Sequence, residues 1–309
     1  MKPTVITKTC KLPDGREITI ETGKLARQAD GSVVLRMGNT MILATVVASI
    51  EGKEGADFLP LSVDYQEKFA STGKVPGGFM KRESKLSDYE VLISRLVDRA
   101  IRPLFPDDYH AETQVMLYLI SGDENALPDA LAAFAASSAL AVSDIPFQGP
   151  ISEVRVARVD GNFVVNPTME ERKRADIDLM VGASIENILM VEGEMKEVSE
   201  DDMLEALKVA HEAIKAQCKL QIELSEAAGK TVKRTYNHED KDDNLRAELW
   251  KLMYDRSYQA ARRLLTNKKE RSEAFSIILD EYLETLSEDS TVNLVLVKKY
   301  FKEIQKKAA

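Results

Sequence analysis

Residues 77–105 read GGFMKRESKLSDYEVLISRLVDRAIRPLF, a glycine-rich basic loop running into a helix whose start is marked from both sides. Ser87 followed three residues later by Glu90 is a capping box, and Leu86 with Val91 fills the two positions of a hydrophobic staple. Leu92, Ile93, Leu96, Val97 and Ala100 then recur at helical spacing until Pro103 forbids continuation. Arg95, Arg99 and Arg102 stand at i, i+4 and i+7, so they share a face beside a loop that carries Phe79, Met80, Lys81 and Arg82. Such a row of guanidinium groups suits polyphosphate or a nucleic-acid backbone. Asp98, at i+3 from Arg95 and i−4 from Arg102, supplies the plainer reading of an ion-paired, solvated helix face, and spacing leaves both readings open.

Outward from this stretch the chain is β-rich. Residues 4–22 predict a hairpin around Pro13-Asp14-Gly15, residues 32–37 and 41–49 two more strands joined at Gly38-Asn39, and residues 59–66 another. After the arginine helix come a strand over 114–120 and an alanine-rich helix over 128–142 that contains Ser137 and Ser138. A second hairpin around Asp160-Gly161, strands over 177–183 and 188–192, and a long helix capped by Ser199 close the unit. Residues 229–243 lose periodicity and read as a linker. Beyond it, runs starting at Leu245, Ala274 and Val292 predict three helices. The expectation is an α+β domain over 1–228 followed by a small all-α bundle over 244–309.

The totals fit two soluble domains in 309 residues and 34.5 kDa. No apolar run approaches the length that crosses a bilayer, and residues 1–11 are polar and alternating rather than a signal peptide, so the default expectation is a cytoplasmic protein. Cys10 and Cys218 lack the spacing of a disulfide framework or zinc site. A net charge of −9 argues against broad binding to nucleic acid. Any such binding is confined to a local basic patch, for which residues 77–102 are the candidate, with Lys233 and Arg234 adding charge further on.

Most familiar chemistry is missing. The glycines of residues 71–82 are followed by Phe79 and Met80 rather than the Lys and Ser or Thr of a Walker A loop, and no GxGxxG follows a strand. His110, His211 and His238 are scattered, and nothing marks a nucleophile elbow. Glu170, Glu171, Asp176 and Asp178 could hold Mg²⁺ at a strand end, although Arg172, Lys173 and Arg174 between them favour ordinary ion pairs. Ser137 and Ser138 read better as close packing than as a phosphate cradle.

Five segments carry a resemblance: ETGKLARQADGSVVLRMGNTMILATVV, FLPLSVDYQEKFASTGKVPGGFMKRE, LISRLVDRAIRPLFP, IPFQGPI and VNPT. In this order they resemble the first ribonuclease PH domain of the bacterial polynucleotide phosphorylases, over residues 1 to about 228, and the likeness continues through the helical domain. The resemblance implies a ribonuclease PH-like fold of mixed sheets packed with helices. It implies part of a homotrimeric enzyme that degrades single-stranded RNA from the 3′ end with inorganic phosphate as co-substrate, releasing nucleoside diphosphates. Mg²⁺ and the active site belong to a second ribonuclease PH domain, followed by KH and S1 RNA-binding domains, so no catalytic or metal residue is expected in this chain.

The family's RNA-constricting loop, Phe-Phe-Arg-Arg, falls on Phe79, Met80, Lys81 and Arg82, with two departures. Met80 removes one aromatic face, and Lys81 keeps the charge without the planar fork. Arg95, Arg99 and Arg102 match the family's arginine-rich helix. Asp176 and Asp178, with Glu170 upstream, fall where the active copy keeps its metal-binding carboxylates, which makes a vestigial site conceivable, while AAFAASSAL replaces its serine-containing phosphate motif. Two functions therefore stand at this point: an RNA-entry half of a phosphorolytic exoribonuclease, inactive alone, or a non-catalytic module for ring assembly. Membrane and DNA are not expected as partners, and the sequence leaves open whether the chain joins a larger RNA-degrading assembly. An autonomous nucleotide-binding enzyme is the third and weakest reading.

Overall fold

The computed structural model describes residues 4–52, 58–77, 79, 81–83, 85–237, 241–286 and 292–309. They form two compact units, residues 1–237 and 238–309.

The first unit opens with strands β1 (Ile6–Lys11), β2 (Glu17–Thr22), β3 (Gly31–Met37), β4 (Thr40–Gly52) and β5 (Leu61–Glu67), then helix α1 (Asp88–Ile101) and strand β6 (Ala111–Ser121). These strands make one six-stranded sheet in the order β1-β2-β3-β4-β6-β5, antiparallel except for the parallel β5–β6 pair. Helix α2 (Asp129–Ala141) leads to β7 (Ser152–Val159), β8 (Asn162–Val165), the short α3 (Met169–Arg174), β9 (Ile177–Ala183) and β10 (Ile188–Met195). The second sheet, β10-β9-β7-β8, is antiparallel throughout. Its β7–β8 hairpin turns on Asp160 and Gly161, both at positive φ, as a primed turn requires. The 28-residue α4 (Glu200–Ala227), N-capped by Ser199, packs on β1, β7 and β9.

Helix α2 is the hub between the two sheets, touching β3, β4, β6 and β7. Twelve of its residues are buried, which is why the sequence there is rich in alanine. Ser137 and Ser138 are spent on this packing. Ser138 Oγ donates to the Phe134 carbonyl at 2.7 Å, and Ser137 Oγ accepts the Ile151 amide at 3.0 Å. Gly31 lets β3 approach so closely that a Cβ there would lie 2.2 Å from the Ala139 carbonyl oxygen.

The outward edge of β5 is closed by Glu90 and Ser94 of α1 and by Arg102 at its carboxyl end. Glu90 accepts the Glu67 amide at 2.7 Å and Ser94 Oγ the Tyr65 amide at 2.9 Å, while Arg102 donates to the carbonyls of Leu59 and Leu61 at 3.1 and 3.2 Å. Helix spacing thus supplies a polar ladder where a neighbouring strand would otherwise bond.

Residues 233–237, read from composition as part of a linker, are stitched into this unit. Lys233 Nζ donates to the carbonyls of Leu140, Ala141 and Ser143 at 3.0, 3.2 and 2.7 Å, closing the carboxyl end of α2. Arg234 pairs with Asp30 and Asp144, and Tyr236 donates to Asp108 at 2.8 Å. Side-chain anchoring, which periodicity does not register, carries the first unit to residue 237 rather than 228.

The second unit contains helices α5 (Asp243–Arg262), α6 (Lys268–Thr285) and α7 (Leu294–Ala308), capped by Asp242, Asn267 and Asn293. Its core gathers Leu249, Met253, Ile278, Val297, Tyr300 and Ile304. Among the described residues no helix is long and apolar enough to cross a membrane.

Candidate nucleic-acid interface

The capping box reads in space as it does in sequence. Ser87 Oγ accepts the Glu90 amide at 3.2 Å, and Glu90 accepts the Ser87 amide at 2.6 Å. Burial opposes ionisation of Glu90, but the amides of Ser87 and Glu67 overcome it and hold the carboxyl below its ordinary range. This start fixes where the preceding loop must end.

The loop is held at its base and exposed at its tip. Glu83 accepts the Phe69 amide at 2.8 Å and pairs with Lys68 at 3.4 Å, and the Ser71 carbonyl accepts the Gly122 amide at 3.1 Å. The Lys68 ammonium also lies 5.3 Å from the centre of the Tyr118 ring. Beyond that base, Phe79 is fully exposed, and Lys81, at φ 46°, and Arg82 are exposed with no ion pair among the described residues. Met80, the fourth residue of the sequence motif, lies outside the described residues.

The arginine row divides. Arg99 pairs with Glu192 of β10, and Arg102 is held by Asp98 at 2.7 Å while it closes the edge of β5. Both therefore have partners within the chain while their side chains stay partly exposed, so the three arginines of the row are not equivalent. Arg95 is exposed and makes no ion pair among the described residues. Together with Leu86 and Val91, the staple pair, it lines a surface cavity of about 340 Å³.

The carboxylates do not make a metal site. Lys173 pairs with Glu170 at 2.7 Å and Arg158 with Asp176 at 2.8 Å, in each case holding the carboxyl below its ordinary range. Asp178 is buried between Arg155 and Arg172 Nε, the latter at 2.6 Å. Among the described residues no group of three or more His, Cys, Asp or Glu could hold a metal ion. A Mg²⁺ ion would have to displace cations already in contact, so the residues do not fit it.

Sequence reading missed the centre of this arrangement. Asp129, at the start of α2, accepts from Arg155 Nη2 at 2.7 Å and lies 3.8 Å from Arg172, so two arginines and two aspartates form one buried lattice. Burial opposes the charge on Arg155, but Asp129 and Asp178 hold its pKa above the ordinary value. Glu153, fully buried with neither carboxyl oxygen hydrogen-bonded, is pushed up to about 8 by burial and then by Asp129. The signal was present as charged residues alternating with valines in SEVRVARV, a pattern that ordinarily marks a solvated strand face. The histidines do not converge: His211 lies 3.1 Å from the Ser184 carbonyl and His110 3.3 Å from that of Asp107, and His238 is outside the described residues.

One mixed and one antiparallel sheet around a buried helix agree with what comparison with known proteins returns. Residues 14–146 match domain 1 and residues 149–213 match domain 2 of the 3′ exoribonuclease family, and the chain belongs to that family. Its architecture is shared with rice Rrp46, a solved structure with a TM-score of 0.51 at 14% identity, covering 70% of this chain and 92% of that one. More particularly, the chain is 58% identical over 305 residues to the polyribonucleotide nucleotidyltransferase of Cytophaga hutchinsonii, covering 99% of this chain and 42% of that protein. It is 59% identical over 304 residues to the polyribonucleotide nucleotidyltransferase of Bacteroides fragilis, covering 98% and 43%. The chain thus spans less than half the length of these relatives.

Proposed function

We propose that this chain is the RNA-entry half of a phosphorolytic 3′-to-5′ exoribonuclease, a polyribonucleotide nucleotidyltransferase that converts RNA and inorganic phosphate to nucleoside diphosphates. The observation that carries this reading is the contrast between two places. At the loop tip an exposed phenylalanine sits beside two cations that make no ion pair among the described residues, whereas Glu170, Asp176 and Asp178 are each held by a lysine or arginine. Phe79 stacks on a base, Lys81, Arg82 and Arg95 meet phosphates, and none of these contacts reads sequence. Mg²⁺ and the reacting phosphate belong to residues outside this chain. Three copies form the ring, in the cytoplasm, as part of a larger RNA-degrading assembly.

The test mixes the 309-residue chain with oligoadenylate, Mg²⁺ and phosphate. RNA binding without nucleoside-diphosphate release supports the reading, and brisk release that survives repurification sinks it. The assembly reading draws on the internal pairing of Arg99 and Arg102. Alanine at Phe79, Lys81 and Arg82 in the full-length enzyme separates the two, since unchanged affinity and processivity on long single strands would favour assembly.

A further inference from the structure

The helical unit carries a second concentration of positive charge, distant in sequence from the arginine row. Where α5 ends and α6 begins, residues 262–271 read RRLLTNKKER, five basic residues and one acidic in a chain of net charge −9. Arg262, Arg263, Lys268 and Lys269 are exposed and make no ion pair among the described residues. Arg271 braces the turn by donating to the Leu265 carbonyl at 3.2 Å, and Asn267 caps α6 by accepting the Lys269 amide at 2.9 Å. Paired surface lysines elsewhere in the chain, such as Lys173 and Lys215, take neighbouring glutamates.

Leu264, inside this turn, has φ 48° and is 83% exposed. The left-handed position after a helix is usually glycine or asparagine, so leucine here is strained and leaves its side chain in water. Both costs sit at one residue among exposed cations, which marks the turn as a contact surface.

An aromatic file leads to it. Trp250, Tyr254 and Tyr258 recur at i, i+4 and i+8 on α5, with ring centres 5.8 and 6.3 Å apart and planes within 10° and 16° of parallel. Arg246 lies 5.9 Å from the Trp250 ring, at one end. Trp250 and Tyr254 are half-buried against the core, whereas Tyr258, the last member, is exposed and stands one helical turn before Arg262.

We infer that the α5–α6 turn is a second contact surface for single-stranded RNA, with a base stacked on Tyr258 and the backbone phosphates taken by Arg262, Arg263, Lys268 and Lys269. The inference rests on the RNA reading above and adds a surface to it. A single strand presents unstacked aromatic faces and closely spaced negative charge together, which is the combination that a terminal tyrosine and four exposed cations complement. An acidic peptide supplies the charge but no π-face in register with it, and duplex RNA hides its bases.

The experiment measures binding of fluorescein-labelled oligoadenylate to the 309-residue chain by anisotropy across a salt series. Replacing Arg262, Arg263, Lys268 and Lys269 together by alanine is expected to weaken binding and to flatten the dependence of log K on log salt by up to about 3, since each phosphate contact on a single strand contributes roughly 0.7. Tyr258→Ala is expected to weaken binding about five-fold or more with the salt slope unchanged, and Tyr258→Phe to restore it. These positions are exposed, so circular-dichroism melts should match the parent and separate lost contact from lost folding. The F79A/K81A/R82A variant is the reference. If it binds less tightly while the turn variants behave as the parent, the turn inference falls and the proposed function stands. If the parent itself does not bind RNA, both fall. If polyglutamate competes as well as unlabelled oligoadenylate at equal charge, the surface recognises acidic protein and the inference is overturned.

Discussion

Arg102 donates to the main-chain carbonyl of Leu61 across 3.2 Å, and so a residue that sequence spacing assigns to a binding row is in fact the fastening between α1 and the edge of β5. Arg95, seven positions earlier on the same helix, is not fastened to any acid among the described residues. The two should respond oppositely. Arg102→Ala loses bonds to two carbonyls and is expected to cost about 1–3 kcal/mol in urea unfolding with RNA affinity retained. Arg95→Ala should change stability by less than about 0.5 kcal/mol and weaken RNA binding. The reverse pattern would return Arg102 to the interface.

Glu153 makes stability depend on pH. Its folded pKa of about 8 lies above the ordinary 4.5, so between these values the folded protein binds more protons than the unfolded chain. The contribution is therefore fully present below about 4.5 and disappears as pH rises through about 8. Urea midpoints should fall from pH 5 to pH 8, by an amount corresponding to a few kcal/mol. Glu153→Gln should flatten that slope, and an unchanged slope in the variant would refute the assignment.

Gly31 and Gly77 make a matched pair for substitution. A Cβ at Gly31 would lie 2.2 Å from the Ala139 carbonyl and 2.9 Å from Ser143 Cβ, whereas nothing lies within 4 Å of one at Gly77. Gly31→Ala is expected to lower the calorimetric Tm by several degrees, because overpacking costs about 1–3 kcal/mol. Gly77→Ala should leave it nearly unchanged. Equal shifts would mean that β3 and α2 are less closely apposed than described.

Asp178 decides between an ion-pair lattice and a metal site. Asp178→Ala leaves Arg155 and Arg172 each short of a partner and should cost about 3–5 kcal/mol. Millimolar Mg²⁺ should not raise the Tm of the parent protein. A saturable Mg²⁺-dependent rise that Asp178→Ala abolishes would show that a cation can replace the arginines.

The elements governed by local chemistry were legible. The Ser87–Glu90 box placed the start of α1, and Asp160-Gly161 placed the second hairpin, because caps and turns are decided by adjacent residues. The six-residue α3 was invisible to periodicity, being shorter than two turns, although Thr168 and Glu171 cap it with the same box. The first turns of α6, from Lys268, carry no apolar face and so precede the run that periodicity marks from Ala274. Long-range pairing was the least legible part. Nothing near Arg99 or Arg102 names Glu192 or Leu61 as a partner, and nothing in SEVRVARV says that β7 is covered on both faces. Of the candidate site, the loop tip is proposed from its motif, while the Asp129–Arg155–Asp178–Arg172 lattice required the fold.

Lys233 closes α2 from 90 to 93 positions downstream, and that distance has a kinetic consequence. Until the polypeptide has looped back across this interval, the Leu140 and Ala141 carbonyls keep only Ser143 and Ser225 as partners and lack the ammonium, so the end of the hub helix should open more readily in any fragment that stops at residue 228. Protease nicking near Ala141 in such a fragment, absent when the chain runs on through Asn237, would be the signature of a late-arriving clasp.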